Sequence, residues 1–216
     1  MPKPAVSAGR SGPPLMRVVS APVERPPYDD AALVAELRAG GSGAPGLLWD
    51  RYAQVVRRIL QRTLGPSADV EDALQDVFLR LFRDLGSLRE PSALRSFLIG
   101  ITLHVATSEL RRRRARRWLL LSDDGALPEP ASSGDPIAAE ERQALHALYR
   151  LLDRLDTQRR LVFVLRYVEG LELAELALVL DCSLATVKRR VSDAAQRVCR
   201  LAERDPRLSS YVKGVP

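Results

Sequence analysis

The chain has little of what catalysis or metal binding usually needs. Its 216 residues include two cysteines, Cys182 and Cys199, and two histidines, His104 and His146. These four do not fall at metal-ligand spacing, so neither a metal site nor another cofactor is expected. No nucleophile–base pair and no Gly-rich phosphate loop is visible, which argues against an enzyme. The cysteines read as small apolar residues in helical or turn contexts. No disulfide framework is called for, and a reducing cytoplasm fits. There is no apolar run of about 18 residues and no signal-peptide pattern, so membrane insertion is not expected. Strand-like alternation of useful length is missing, as is any internal repeat. Aromatics make up only 5%, so the core must be built from Leu, Val and Ala.

Helical periodicity and positive charge are what remain. Lys and Arg number 33 against 27 Asp and Glu, a net charge of +6 and a pI of about 9.8. That balance suits a polyanionic partner. The first 28 residues, rich in Pro and small residues, read as a disordered tail. From there the apolar spacing predicts helices at 29–39, 46–64, 69–85 and 93–118. Gly65-Pro66-Ser67 breaks the second from the third, and Ser67 is a candidate cap. Helix 69–85 carries Asp72, Gln75, Asp76, Arg80 and Arg83 opposite its apolar face. Helix 93–118 ends in Arg111–Arg114, Arg116 and Arg117, which cannot all face one way; some must be solvated or bound to phosphate. Residues 119–138, with turn formers and acids and no period, read as a flexible linker. Helices are expected again at 140–154, 156–168, 172–180 and 184–204. The whole is an all-α chain of two small helical domains, 29–118 and 139–205, followed by a short tail at 206–216.

The most informative stretch is LELAELALVLDCSLATVKRRV, residues 171–191. Two apolar-periodic runs meet at Asp181-Cys182-Ser183. Asp tolerates a left-handed backbone, and Ser183 offers a hydroxyl to cap the next helix. Leu184, Val187 and Val191 share one face of that helix, while Thr186, Lys188, Arg189 and Arg190 lie mostly off it. Such a turn between two helices is a helix-turn-helix, with short polar and cationic side chains where a major-groove reader carries them. An ordinary helical hairpin with a solvated basic face has the same pattern.

Two stretches together resemble a known family. GPSADVEDALQDVFLRLFRDL is similar to the conserved region 2 helix of bacterial sigma-70 family factors, in the form found in the extracytoplasmic-function (ECF) subfamily. LDRLDTQRRLVFVLRYVEGLELAELALVLDCSLATVKRRV resembles their region 4. The order and the connector also match, with no region 3 domain. The resemblance implies a sigma region 2 helical bundle at 29–118, a sigma region 4 helix-turn-helix domain at 139–205, and a promoter-specificity subunit of bacterial RNA polymerase in the cytoplasm. Asp72, Gln75, Asp76, Arg80 and Arg83 would then meet the polymerase clamp helices. Ser87, Arg89, Ser92, Arg95, Phe97, His104, Arg111 and Arg112 would serve the −10 element. Arg166, Ser183, Thr186, Lys188, Arg189 and Arg190 would serve the −35 element. Region 4 would also dock on the polymerase flap. The free chain would be a monomer, with an anti-sigma factor as a further partner.

Three departures stand out. The ECF pattern Trp-Leu-Tyr-Arg-Ile-Ala-x-Asn is here Phe97-Leu98-Ile99-Gly100-Ile101-Thr102-Leu103-His104, so Gly100 replaces Arg and His104 replaces Asn. After Arg190, where many relatives carry an aromatic or His and then Arg, stand Ser192 and Asp193. A carboxylate there implies either that Asp193 reads a cytosine amino group or that the helix tilts away. Two rival readings are a stand-alone helix-turn-helix regulator and a helical module that only binds a polymerase or anti-sigma partner.

Overall fold

The computed structural model describes residues 29–65, 69–119 and 136–209, and among them the regular structure is helical. The first half contains α1 (Asp30–Arg38), α2 (Ala44–Leu64), α3 (Val70–Asp84) and α4 (Leu94–Leu119). The second contains α5 (Pro136–Asp153), α6 (Thr157–Phe163), α7 (Leu173–Val179) and α8 (Leu184–Ala202). The expected N-terminal tail, residues 120–135 of the linker and residues 210–216 of the C-terminal tail lie outside the described residues, as does the proposed cap Ser67.

Helix starts follow local chemistry. Asp29 caps α1 by accepting from the Ala31 amide, and Asp69 caps α3 through the Asp72 amide. Asp156 caps α6 through Arg159, and Ser183 caps α8 through Thr186, as its hydroxyl suggests. Each side-chain oxygen satisfies an orphan amide that the helix itself cannot. After α6 the chain widens into a π-helical turn at Val164–Val168, which continues the run that the apolar spacing places in one helix. Such an insertion shifts the face that follows it.

In the first half α2, α3 and α4 pack against one another around Leu48, Val56, Leu60, Leu74, Val77, Leu81, Leu98 and Ile99. In the second, α8 is the hub, packed on α5, α6 and α7 through Val187, Val191, Ala194 and Val198. The two halves also touch. α4 meets α6 and α7, and α2 meets the π turn, so the buried apolar residues of both halves form one connected cluster. Gly65 ends α2 at φ 87, where a side chain would be strained, and its Cα faces the Tyr149 ring of α5. Among the described residues no helix is long and apolar enough to cross a membrane.

Candidate nucleic-acid and polymerase interfaces

The polar face of α3 is laid out as its spacing requires. Asp72 and Gln75 are exposed, and Asp76 accepts from Arg80 one turn on, at 2.9 Å. Arg83 pairs with its neighbour Asp84 at 2.8 Å. The same face also shows apolar residues that the charge pattern hid. Leu79 is 67% exposed and Phe82 40%, and Trp49 of α2 is 39% exposed. Trp49 tilts against Phe78 at 4.7 Å between centroids, and Phe82 follows at 6.4 Å. Positions 72, 75, 76, 79, 82 and 83 recur at steps of three and four, so the mixed face was legible in spacing. The result is an acidic rim beside an open apolar patch, the arrangement of a protein-docking surface.

Beyond α3 the chain makes 3-10 turns at Leu85–Ser87 and Pro91–Ala93. Buried Leu88 anchors the loop between them, and Arg38 of α1 donates to its carbonyl. Ser87 donates to the Asp84 carbonyl at 2.7 Å, while Arg89 and Ser92 are exposed. The loop is thus held from both sides while its polar tips reach solvent.

On α4, Phe97, His104 and Arg111 are seven residues apart and line up along one side, with Gly100 between the first two. Phe97 is half-buried against the core, whereas His104 and Arg111 are exposed. Arg95 forms an ion pair with Glu175 of α7. The arginine run divides by partner. Glu109 pairs with both Arg112 and Arg113, and Arg113 also donates to the Leu64 carbonyl at the end of α2. Burial raises the Glu109 carboxyl, but the two guanidiniums outweigh it and hold the group below the ordinary carboxylate range. Arg113 is therefore a tether between helices, and Arg111 points outward.

In the helix-turn-helix, Asp181 adopts φ 45, the left-handed backbone its side chain tolerates. The Ser183 and Thr186 hydroxyls lie 2.9 Å apart at the start of α8, so part of their hydrogen-bonding capacity is spent locally. Lys188 and Arg189 are exposed; Arg190 reaches the Cys182 sulfur at 3.7 Å. Arg166 donates to the Leu171 carbonyl at 2.7 Å and lies 3.7 Å from Glu172, which fastens the turn that leads into α7. Asp193 pairs with Arg159 at 2.7 Å, and Arg159 also pairs with the cap Asp156. The carboxylate that stands where relatives carry a cation is thereby matched by a guanidinium.

One cluster had no sequence signal, because its members come from distant segments. Glu169, just after the π turn, has a side chain only 1% exposed and accepts from Arg58 at 3.0 Å and Arg62 at 2.8 Å, both on α2. Arg62 also donates to the Val168 carbonyl. Nearby, Arg160 of α6 is buried, donates to the Thr63 carbonyl at 2.6 Å and pairs with Asp153. Burial pulls the Arg160 guanidinium below its usual range, against the opposing pull of Asp153. The described residues hold no group of three or more acids, histidines or cysteines placed to bind a metal.

Two family models match this chain: Sigma-70 region 2 over residues 48–116 and Sigma-70, region 4 over residues 145–198. The ECF RNA polymerase sigma factor SigM of Mycobacterium tuberculosis is 31% identical over 172 residues, 80% of this chain and 84% of that protein. The ECF RNA polymerase sigma-E factor of Escherichia coli K12 is 28% identical over 178 residues, 78% of this chain and 92% of that protein. Among solved structures, CnrH in complex with the cytosolic domain of CnrY superposes with a TM-score of 0.60 at 25% identity, covering 82% of this chain and 99% of that one.

Proposed function

The chain belongs to the sigma-70 family, in its extracytoplasmic-function branch, and directs promoter-specific transcription initiation; from that premise we propose how its surfaces divide the work. The region 2 domain, 29–118, binds core RNA polymerase through the α3 face, with Asp72, Gln75, Asp76, Arg80 and Arg83 at the clamp helices. What supports this is the exposed acidic rim beside Leu79, Phe82 and Trp49. Charges steer the encounter, and the desolvated apolar centre supplies affinity.

The −10 element is opened at the loop Ser87–Ser92 and along the α4 stripe. A base leaving the stack needs an apolar wall and polar groups to hold it. Phe97 supplies the first, and Ser87, Arg89, Ser92, Arg95 and His104 the second. Arg111 and Arg112 contact phosphates. The region 4 domain, 139–205, reads the −35 duplex with the N-terminal end of α8, through Ser183, Thr186, Lys188, Arg189 and Arg190. Arg166 acts there by holding the turn before α7, and region 4 also docks on the polymerase flap. The chain works by binding and carries no reaction of its own, and it acts in the bacterial cytoplasm.

An anti-sigma partner belongs to the same proposal. CnrH was solved bound to the cytosolic domain of another protein, and this chain presents open apolar residues in both halves, Leu79 and Leu178 among them. The observation that carries the DNA assignment is the capped helix-turn-helix whose first turns expose Lys188 and Arg189. Run-off transcription with purified core polymerase tests it. Product from a promoter template and none from a scrambled one is expected. Equal product from both templates refutes promoter reading; tight duplex binding without any need for polymerase would favour a stand-alone regulator.

A further inference from the structure

The first turn of α8 holds two hydroxyls, but they face each other. Ser183 and Thr186 lie 2.9 Å apart, and the Ser183 oxygen also accepts from the Thr186 amide at 3.2 Å. One hydroxyl proton is used in that pair, and the Ser183 oxygen is committed to the cap. Between the two stand Leu184 and Ala185, both exposed. Leu184 shares its helical face with Val187 and Val191, yet it is 44% exposed where they are 0% and 7%. Helical side chains lean toward the N-terminus, and Leu184 is the first residue of the helix, so part of it projects past the core. The tip of the recognition helix is therefore more apolar than its composition suggests.

Rows of residues four apart run along a helix. Leu184, Ala185 and Thr186 each begin such a row. Lys188, Arg189 and Arg190 follow them one turn later, about 6 Å along the axis. Every row thus opens on a methyl-bearing side chain and continues in a cation. From Cys182 to Ser192 the chain has three cations and no acid. The next acid, Asp193, is paired with Arg159. Apolar tips backed by unopposed cations suit a polyanion that carries apolar spots. The major groove of duplex DNA is such a surface: phosphates flank it, and thymine places a 5-methyl group within it. A distance of about 6 Å covers roughly two base steps at about 3.4 Å each, so the cations fall over the steps next to the one the tip meets.

We propose that the tip of α8 is a thymine reader: Leu184, flanked by Ala185 and the Thr186 methyl, packs on the 5-methyl group of a −35 thymine, while Lys188 and Arg189 hold the duplex beside it. This rests on the assignment of that end of α8 to the −35 duplex and adds the kind of base the tip selects. Cytosine presents an amino donor in the groove and no methyl, and a leucine leaves that donor unpaired, so the same contact that accepts thymine disfavours cytosine.

The test uses polymerase reconstituted from core and the full chain. It selects bound sequences from a duplex library randomised over one helical turn. Each thymine of the selected duplex, on either strand, is then replaced in turn by uracil, which removes only the 5-methyl group, and competition is followed by anisotropy. One of these replacements should weaken wild-type binding about fourfold, the value of one covered methyl. Leu184→Ala should bind the thymine duplex weaker by a similar factor and be indifferent to uracil at that position, whereas Leu184→Met should keep the discrimination. The uracil change leaves the protein untouched, so a folding defect in a variant cannot imitate this pattern. The thymine reading is overturned if no uracil replacement costs the wild type affinity. It is equally overturned if Leu184→Ala loses affinity yet stays as sensitive to uracil as the wild type, which would make Leu184 a contact to protein. In both cases Lys188→Ala with Arg189→Ala should still weaken the selected duplex. If instead the library yields no preferred sequence and that double variant binds like wild type, the −35 assignment of α8 fails and the thymine reader with it.

Discussion

Reversing charge on the α3 face should separate polymerase binding from folding. The perturbation is Asp72→Lys with Asp76→Lys. Asp72 is exposed in the first turn of α3, behind the cap Asp69, and the cap bond uses its backbone amide, which Lys retains. A carboxylate there is favoured by the helix dipole by about 0.3–1 kcal/mol, and a cation is disfavoured similarly. Asp76 pairs with Arg80 one turn on, both sides partly exposed, so losing the pair costs only about 0.3–0.5 kcal/mol, and Lys beside Arg80 adds a like-charge penalty of that size. The two changes together should cost about 1–3 kcal/mol, a fall in melting temperature of about 2–12 °C. Like charges brought together at an interface cost several kcal/mol, so core affinity should fall by about 100-fold or more. The assay is competition against labelled wild type for core polymerase, beside thermal melts. Glu203→Lys, an exposed change at the far end of α8, serves as the control for net charge. If the double variant melts within the stated range yet competes like wild type, the α3 face is not the clamp surface.

Three further outcomes are expected. Lys188→Ala with Arg190→Ala should weaken binding to a true −35 duplex more than to a scrambled one, by about 1–3 kcal/mol of discrimination, whereas Arg111→Ala with Arg112→Ala should weaken all sequences alike; electrophoretic competition with both duplexes checks this. Phe97→Ala should spare core binding and reduce permanganate-reactive open complex, and a pre-melted −10 template should restore most run-off product; equal defects on both templates would make Phe97 a packing residue. The Asp156 carboxyl is raised by burial but more strongly lowered by the amide and guanidinium of Arg159, so its folded value lies below the unfolded one. Its contribution is then present above the ordinary carboxylate range, near pH 4, and lost as pH falls through the lower folded value; Asp156→Asn should flatten that limb of a urea-midpoint profile.

The helices were legible because each is amphipathic and punctuated. Gly65 closes α2, acids and Ser183 open α3, α6 and α8, and Asp181 takes the left-handed turn between α7 and α8. The helix-turn-helix needed only local chemistry, so a local reading found it. At the start of α3 the cap is Asp69, one residue before the helix, which accepts from the Asp72 amide. The π turn at Val164–Val168 left no trace in the apolar spacing, since an extra residue inside a continuous apolar run changes no residue type. On α3 the charges drew attention away from Leu79 and Phe82, which share their face at the same helical spacing.

What could not be read from local pattern was the pairing of distant charges, and this changes the meaning of single residues. Asp193 alone suggests repulsion from a phosphate backbone, or a contact to cytosine. In the structure Arg159 bridges Asp193 to the cap Asp156, across the α6–α8 contact at the centre of the second half. An ion pair cancels most of the field that a distant phosphate would feel, and at physiological salt the remainder decays over about 8 Å. Asp193 therefore requires neither a tilt of α8 nor a base partner; it joins α8 to α6 through a half-exposed ion pair. The same reasoning applies to Glu169. In sequence it is one acid at a turn before glycine; in the fold it is the buried anion that two arginines of α2, more than a hundred residues earlier, close around.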